Sequence, residues 1–201
     1  MVQKKALDGR QRTKVESEAT RARILDAARG LFEEKGSVGL SMRVIAARAE
    51  MPTATVYGYF PGKTAIIRGL WSLAFDPLFA RLRAEEQKHV DPKVRLGAVA
   101  KAYVEYWIHY PDSYRMVFLI EDVKDHKDGS WFISQTDVVV SYLHFGSLIA
   151  NARGEPESSC QAEAEALICV LNGIVHMAVT VSEYPWAPPT RYLDIIFEGF
   201  Y

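Results

Sequence analysis

Three side chains able to bind phosphate lie close together around residue 57. Tyr57 and Tyr59 carry hydroxyl groups and Lys63 carries an ammonium group. Such groups contact the phosphate oxygens of nucleic acids, which sets affinity and orientation but not sequence preference. Taken singly, each is equally well explained as an amphipathic surface side chain. Their spacing within one short segment favours phosphate binding.

Two short helices joined by a tight turn are predicted to carry this cluster. Ser41 is a suitable N-cap for the first helix. Pro52 prevents that helix from running into the next, which starts at Thr53 and ends near Phe60. An upstream helix over residues 20–35 provides the cover that two short helices need. The predicted inner face of the first short helix consists of Val44, Ile45 and Ala49.

This arrangement predicts a helix-turn-helix, whose second short helix exposes one face to the major groove of DNA. Ala46 and Ala49 are small enough for the helix crossing, and Met51 can fill the turn. Val56 and Phe60, four residues apart, are predicted to face the core. The candidate DNA-binding residues are Ser41, Arg43, Thr53, Ala54, Thr55, Tyr57, Gly58, Tyr59 and Lys63.

The predicted recognition helix lacks side chains that form paired hydrogen bonds with a base. It contains no Arg, Asn or Gln, so direct reading rests on small residues against thymine methyl groups and on Arg43 as a nearby guanine reader. Further basic residues are candidates for phosphate or minor-groove contacts: Lys4, Lys5, Arg10, Arg12 and Lys14.

Charge is distributed unevenly along the 201 residues. Residues 1–63 hold 12 Lys and Arg against 7 Asp and Glu, a balance of +5, and residues 64–201 hold 12 against 18, a balance of −6. A basic N-terminal third on an acidic remainder fits a head that binds a polyanion, although accidental segregation of solvated charges gives the same pattern. The apolar fraction of 49% is that of a soluble globular protein.

Cysteine use and the absence of targeting signals predict a cytoplasmic protein. Cys160 and Cys169 lie in one predicted helix at about 13 Å along its axis, too far apart for a disulfide bond, and are expected to be buried free thiols. The N-terminus has no apolar core of a signal peptide. Polar residues interrupt the uncharged run between Glu165 and Glu183, so we expect a buried helix and no membrane contact.

The rest of the chain is predicted to be helical, which makes the fold class all-α. Asn172-Gly173 between two β-branched runs is a strong hairpin signal. We still expect a helix, because the flanking residues have high helix propensity and no partner strands are evident. Pro77 is expected to kink or end its helix, and Ser158 or Ser159 to cap the helix that follows.

The motif resembles that of the TetR family of bacterial transcriptional repressors. The resemblance covers about residues 20–70. It is carried by Ile24-Leu25, Ala27-Ala28, Leu31-Phe32, Gly36, Ile45-Ala46-Ala47-Arg48-Ala49 and Thr55-Val56-Tyr57-Gly58-Tyr59-Phe60-Pro61-Gly62-Lys63. It implies that Tyr57, Tyr59 and Lys63 bind phosphates. It also implies that Arg43, Thr53 and Thr55 lie where base contacts are usually made.

The chain departs from the family pattern at three positions. Glu50 replaces the usual glycine of the turn, which raises the question of a positive backbone angle there. Pro52 occupies a position often held by serine, so the cap of the recognition helix is expected to pass to Thr53. Gly58 stands where a larger residue is common, which removes one candidate groove contact.

Residues 1–17 are polar and basic without periodicity, which predicts a flexible basic arm. A helix-turn-helix domain is expected at 18–63, and the resemblance implies that the helical remainder at 64–201 is a ligand-binding and dimerisation domain. Aromatic residues in the last part suit a pocket for a small hydrophobic or aromatic effector. Ordinary core packing explains the same residues equally well or better. The candidate ligand-binding residues are Tyr103, Trp107, Tyr110, Phe118, His144, His176 and Met177.

Two C-terminal helices are too apolar to face water on any side, namely the helix after Glu165 and the last one of the chain. A four-helix interface between two copies would cover them, and burial within one copy is an equally good explanation. The resemblance implies a homodimer that binds a palindromic operator in double-stranded DNA and is released by the effector.

An enzyme is not predicted, because the five His residues are scattered and no phosphate loop or nucleophile elbow is present. No cofactor and no metal are expected. The alternative function is a helical adaptor that binds protein, without DNA-binding or catalytic activity.

Overall fold

The structure, a computed structural model, describes residues 9–36, 39–119 and 137–200, with side chains over 14–36, 39–119 and 144–198. All regular elements in these ranges are helical, which confirms the all-α class. They are α1 (Gly9–Lys35), α2 (Met42–Arg48), α3 (Thr53–Tyr59), α4 (Lys63–Glu86), α5 (Pro92–His109), α6 (Pro111–Phe118), α7 (Asp137–Arg153), α8 (Gln161–Thr180) and α9 (Pro189–Phe200). The first eight residues of the predicted arm lie outside the described residues.

Two compact units divide the chain between Ser72 and Leu73. We call the first unit the head and the second the body. Helix α4 contributes residues to both units, because it starts at Lys63 and ends at Glu86. The predicted domain boundary coincides with the start of α4, whereas the division into units falls inside it.

An apolar stripe on α1 forms the centre of the head. Ile24, Leu25, Ala28 and Leu31 recur at helical spacing and are buried. Helix α2 buries Met42, Ile45, Ala46 and, just past its end, Ala49. The predicted inner-face position Val44 was wrong, since its side chain is 40% exposed. The stripe that begins at Met42 points Val44 away from the core.

Helix α1 begins earlier than the sequence predicts, because residues 9–17 are helical. Residues 14–19 are exposed, so no apolar periodicity marks them. Lys14 lies 4.0 Å from Glu18, one turn away, a spacing that supports exposed helices. Residues 9–17 of the predicted arm are therefore the first turns of α1.

Helix α5 is central to the body and packs against α6, α7, α8 and α9. Asn172 lies within α8 and donates from Nδ2 to the Ile168 carbonyl at 3.0 Å, which confirms a helix in place of a hairpin. Ser159 ends a 3₁₀ turn, and Cys160 occupies the N-cap of α8 without a side-chain hydrogen bond, so the serine cap was wrong. Helix α4 continues through Pro77.

The two cysteines lie in different environments. Cys160 is fully buried, as predicted for both thiols. Cys169 is exposed, so that prediction was wrong for it. The reason is that α8 buries only one stripe, formed by Ala164, Leu167, Leu171, Val175 and Val179, while Cys169 lies on the uncovered side.

The turn between α2 and α3 requires a left-handed backbone conformation at Glu50, whose φ is 52°. The next amide, of Met51, donates to the Ala46 carbonyl at 2.9 Å and closes the turn. Glu50 adopts this angle although its Cβ makes it costly. Its carboxylate lies 3.4 Å from the Arg23 guanidinium, across exposed surface.

Replacing Glu50 by glycine is expected to raise the free energy of unfolding by about 1 kcal/mol, since glycine adopts a positive φ without steric cost. Glu50→Gln is the matched control because it keeps the Cβ and removes only the exposed ion pair, for a change within about 0.5 kcal/mol. Urea unfolding followed by circular dichroism measures both. A loss of stability in Glu50→Gly contradicts the strain assigned to this turn.

Candidate nucleic-acid interface

Helix α3 presents one face to solvent and the other to the head core. The side chains of Val56 and Phe60 are 0% exposed, as predicted, whereas Tyr57 between them is 52% exposed. Ala54 and Gly58 are exposed on the same helix. A Cβ added to Gly58 would meet no atom within 4 Å, so the space beside this residue is open. The exposed face is therefore free to approach another molecule.

The remaining predicted contacts flank this face. Thr53 opens α3, and Thr55 and Tyr59 are half-buried. Pro52 occupies the N-cap without a side-chain hydrogen bond, so the cap does not pass to Thr53. Lys63 is the first residue of α4 and is partly buried.

Ser41 has a structural task of its own at the start of α2. Its Oγ accepts a hydrogen bond from the Val44 amide at 3.3 Å, which is the predicted N-cap.

Three arginines of the head form ion pairs within the described residues. Arg29 Nη2 lies 2.5 Å from Asp26 Oδ1, and Arg23 pairs with Glu50. Arg48 pairs with Glu34, and its hydrogen bond lowers the pKa of the Glu34 carboxyl. A cleft of about 450 Å³ beside α1 is lined by three arginines and three carboxylates, so its charges balance: Arg23, Arg29, Arg48, Asp26, Glu33 and Glu50.

Arg43, by contrast, is exposed and forms no hydrogen bond or ion pair with the part of the chain that the structure describes. Its guanidinium retains its five N–H donors for an external acceptor. Because guanine offers two acceptors in the major groove, a free guanidinium beside α3 is suited to read it.

Arg21 was missed by the sequence reasoning. Its Nη1 donates to the Tyr59 carbonyl at 3.2 Å, and its Cζ lies 4.2 Å from the centroid of the Phe60 ring. No sequence spacing announces this contact, because its partners lie 38 and 39 residues away in the chain.

In the body, the structure brings together three of the predicted ligand-binding residues. Trp107 is fully buried, with ring centroids 5.5 Å from Phe118 and 6.3 Å from Tyr103. The Tyr103 hydroxyl donates to Asn172 Oδ1 at 3.1 Å, and the Tyr114 hydroxyl donates to the Asn172 carbonyl at 3.3 Å. We call Phe75, Tyr103, Trp107, Tyr114 and Phe118 the aromatic cluster.

One polar atom in this cluster lacks a partner. Trp107 Nε1 is buried and donates to no acceptor among the described residues. Leaving such a donor unpaired costs roughly 1–3 kcal/mol. Nearby, the Tyr106 hydroxyl donates to the Ala74 carbonyl at 2.7 Å, and burial raises the pKa of Tyr106 to about 12.

The other predicted ligand-binding residues are not part of this cluster, although the ring centroid of His176 lies 6.5 Å from that of Tyr114. Tyr110 and Met177 are 46% and 41% exposed, and His176 is also exposed. His144 is partly buried, and its Nε2 lies 2.8 Å from Glu86 Oε2. No group of His, Cys, Asp and Glu in the described residues is arranged to hold a metal ion.

Comparison with known proteins points to one family. Residues 24–70 match the family model described as bacterial regulatory proteins, tetR family. No curated protein matches the chain. Three solved structures share the fold over most of the chain, at identities that establish the fold alone.

The first is described as the fatty acid degradation regulator FadR from Bacillus halodurans, with a TM-score of 0.65, 14% identity, and coverage of 89% of this chain and 93% of that one. The multidrug binding protein EbrR, complexed with imidazole, has a TM-score of 0.62, 24% identity, and coverage of 89% and 87%. A putative tetR family regulator from Shewanella sp. PV-4 has a TM-score of 0.66, 17% identity, and coverage of 89% and 95%.

The exposed face makes separable predictions for two side chains. Arg43→Ala should relax sequence preference at one base pair per half-site, because a bidentate contact to guanine contributes about 1–3 kcal/mol of discrimination. Tyr57→Phe should weaken binding to all sequences alike, because a phosphate contact carries no sequence information. Binding profiles over a randomised duplex library measure both effects. A uniform loss from Arg43→Ala would remove its assignment as a base reader.

Proposed function

We propose that the chain, whose residues 24–70 match the model of bacterial regulatory proteins of the tetR family, is a repressor of that family that binds a palindromic operator as a homodimer and is released by a small hydrophobic or aromatic effector. Regulation of transcription through DNA binding follows from the family. The observation that supports the operator contact most directly is the exposed face of α3, where Tyr57 is 52% exposed while Val56 and Phe60 are fully buried.

The proposed operator contact assigns different tasks to neighbouring residues. Tyr57, Tyr59 and Lys63 bind phosphates and orient the head. Arg43 reads guanine, and Thr55 contacts thymine methyl groups or donates a single hydrogen bond. A single short helix reads few base pairs, so two heads on half-sites about 34 Å apart supply the affinity that one lacks.

The homodimer is supported by an uncovered apolar surface on the last two helices. Met177, Val181 and Ile195 are each more than 40% exposed. Beside them an apolar groove of about 220 Å³ is lined by Gly173, Ile174, Met177, Ala178, Trp186, Pro189 and Tyr192. Large exposed apolar surfaces mark interaction sites, and two helices from each copy would cover this one as a four-helix interface.

This surface also accounts for the apolar character of α8, which is long and apolar enough to span a membrane by length and composition alone. The helix packs against α5 and α7 on its buried side. The dimer covers the other side, so a soluble cytoplasmic protein needs no further explanation for this helix.

Ile195→Glu is expected to convert the dimer to a monomer, since it places a charge in the centre of an apolar interface. Val90→Glu is the matched control, because it also replaces an apolar side chain by a carboxylate. Val90 is 91% exposed and lies in the connection before α5, away from the proposed interface. Sedimentation equilibrium of both variants measures the mass. If both variants have the mass of the wild-type protein, the dimer interface does not include Ile195.

The aromatic cluster supports the effector proposal. Among the described residues of the body no charged side chain is buried, so an effector entering there must be uncharged at the buried end. Trp107 Nε1 offers a donor that has no acceptor in the part of the chain that the structure describes. Core packing alone explains the rings but not the unpaired N–H. Two structural neighbours, by their descriptions, bind small molecules or regulate fatty acid breakdown.

Release then requires that effector and operator favour different arrangements of the protein. Helix α4 contributes to both units and is the connection through which the body can act on the head. The coupling in such switches is typically about 1–3 kcal/mol, a change of about 5–150-fold in operator affinity.

Trp107→Phe is expected to leave operator affinity unchanged and to weaken release by effectors that carry a hydrogen-bond acceptor. Phenylalanine retains the ring in the cluster but removes the N–H donor. Fluorescence anisotropy of a labelled operator, titrated with neutral aromatic compounds, measures release in both proteins. Equal release would remove Trp107 from the effector site.

The adaptor is separated from the repressor by one experiment. An electrophoretic shift with the DNA upstream of the protein's own gene, at about 0.1 M salt, is expected for a repressor, because its phosphate contacts survive there. A protein that shifts neither this DNA nor any duplex enriched from a random library is an adaptor.

A further inference from the structure

Helix α3 holds its own shape weakly. It has seven residues and buries one side chain, Val56. Its N-cap is Pro52, which forms no side-chain hydrogen bond, and its last turn contains no basic residue. Isolated helices of this length are unstable in water, so the direction of α3 depends on what its neighbours contribute.

Arg21 contributes at the end where α3 lacks support. The Tyr59 carbonyl belongs to the last turn, whose carbonyls have no partner inside the helix. Arg21 Nη1 donates to that oxygen at 3.2 Å. The positive charge also faces the negative end of the helix dipole.

The same guanidinium is fixed by a ring. Its Cζ lies 4.2 Å from the centroid of Phe60, whose side chain is fully buried. Phe60 is the C-cap of α3, with φ −136° and ψ 114°, so the ring stands where the helix ends. Arg21 itself is carried by α1, which is anchored by Ile24 and Leu25 in the head core. A planar guanidinium stacked on a ring is held in one orientation more firmly than the flexible ammonium of a lysine would be.

We propose that Arg21 is a positioning residue, which fixes the C-terminal end of α3 and thereby the direction in which its exposed face meets DNA. This inference rests on the proposed operator binding. Positioning lowers the ordering cost of binding, so its loss weakens recognition of the operator more than attachment to any duplex. A direct phosphate contact from Arg21 would instead weaken both alike and reduce the salt dependence.

The first measurement needs no DNA. Amide hydrogen exchange of the free protein compares wild type, Arg21→Met, Arg21→Lys and Arg29→Met. Arg29→Met is the matched control, because it removes the same charge from α1 but only a pair with Asp26 of the same helix. Arg21→Met is expected to raise exchange at the amides of residues 56–60 by about 5–10-fold relative to the control. Arg21→Lys should lie between, since it retains a cation and one donor.

The second measurement uses the duplex that the wild-type protein enriches from a random library, and a random-sequence duplex of the same length. For Arg21→Met, the dissociation constant should rise about 5–10-fold on the enriched duplex and less than about 2-fold on the random one. The slope of affinity against salt concentration should match that of Arg29→Met, and Arg21→Lys should recover part of the selectivity.

Three outcomes overturn the inference. Equal losses on both duplexes, with a salt slope smaller by about 0.9 than that of the control, would make Arg21 a phosphate contact. Unchanged hydrogen exchange at the amides of residues 56–60 in Arg21→Met would show that Arg21 does not fix the end of α3. If Arg21→Met does not fold, Arg21→Lys decides by the same two readouts, and wild-type behaviour in both contradicts positioning. If the wild type enriches no duplex, operator binding fails, while exchange still tests whether Arg21 holds α3.

Discussion

Helix α3 is held from one side only, and this determines what its other side can do. Val56 and Phe60 bury their side chains completely. A Cβ at Gly69 of α4 would lie 2.6 Å from Leu25 and 3.4 Å from the Phe60 ring, so the glycine permits close packing behind α3. Ala54, Tyr57 and Gly58 are left exposed because the anchoring uses only the opposite face.

Helix α1 supports the helix-turn-helix at two places through residues two positions apart. Arg23 reaches Glu50 in the turn, and Arg21 reaches Tyr59 at the end of α3. The left-handed angle at Glu50 is tolerated because the Met51 amide and the packing of α2 fix the turn around it. With these arginines occupied inside the head, Arg43 keeps its donors for an outside acceptor.

The sequence was sufficient for features that local chemistry controls. Apolar spacing, Pro52 and the cap at Ser41 defined α2, α3 and the buried stripe of α1, although α1 begins earlier than they predict. Helix propensity correctly outweighed the hairpin signal at Asn172. The failures concern faces and partners. The exposure of Val44 and Cys169 depends on which side of a helix its neighbours cover. The N-cap of α8 is Cys160 and not one of the two serines before it. The contact of Arg21 with Tyr59 joins residues 38 positions apart, which no local pattern encodes.

The proposed repressor requires that the exposed face of α3 binds duplex DNA. Amide chemical-shift changes in the ¹⁵N-labelled protein, titrated with a duplex enriched from a random library, test it directly. We expect the largest changes at Arg43, across residues 53–59 and at Lys63, in slow exchange at low salt. Changes confined to α8 and α9, or no binding by any enriched duplex, would contradict it.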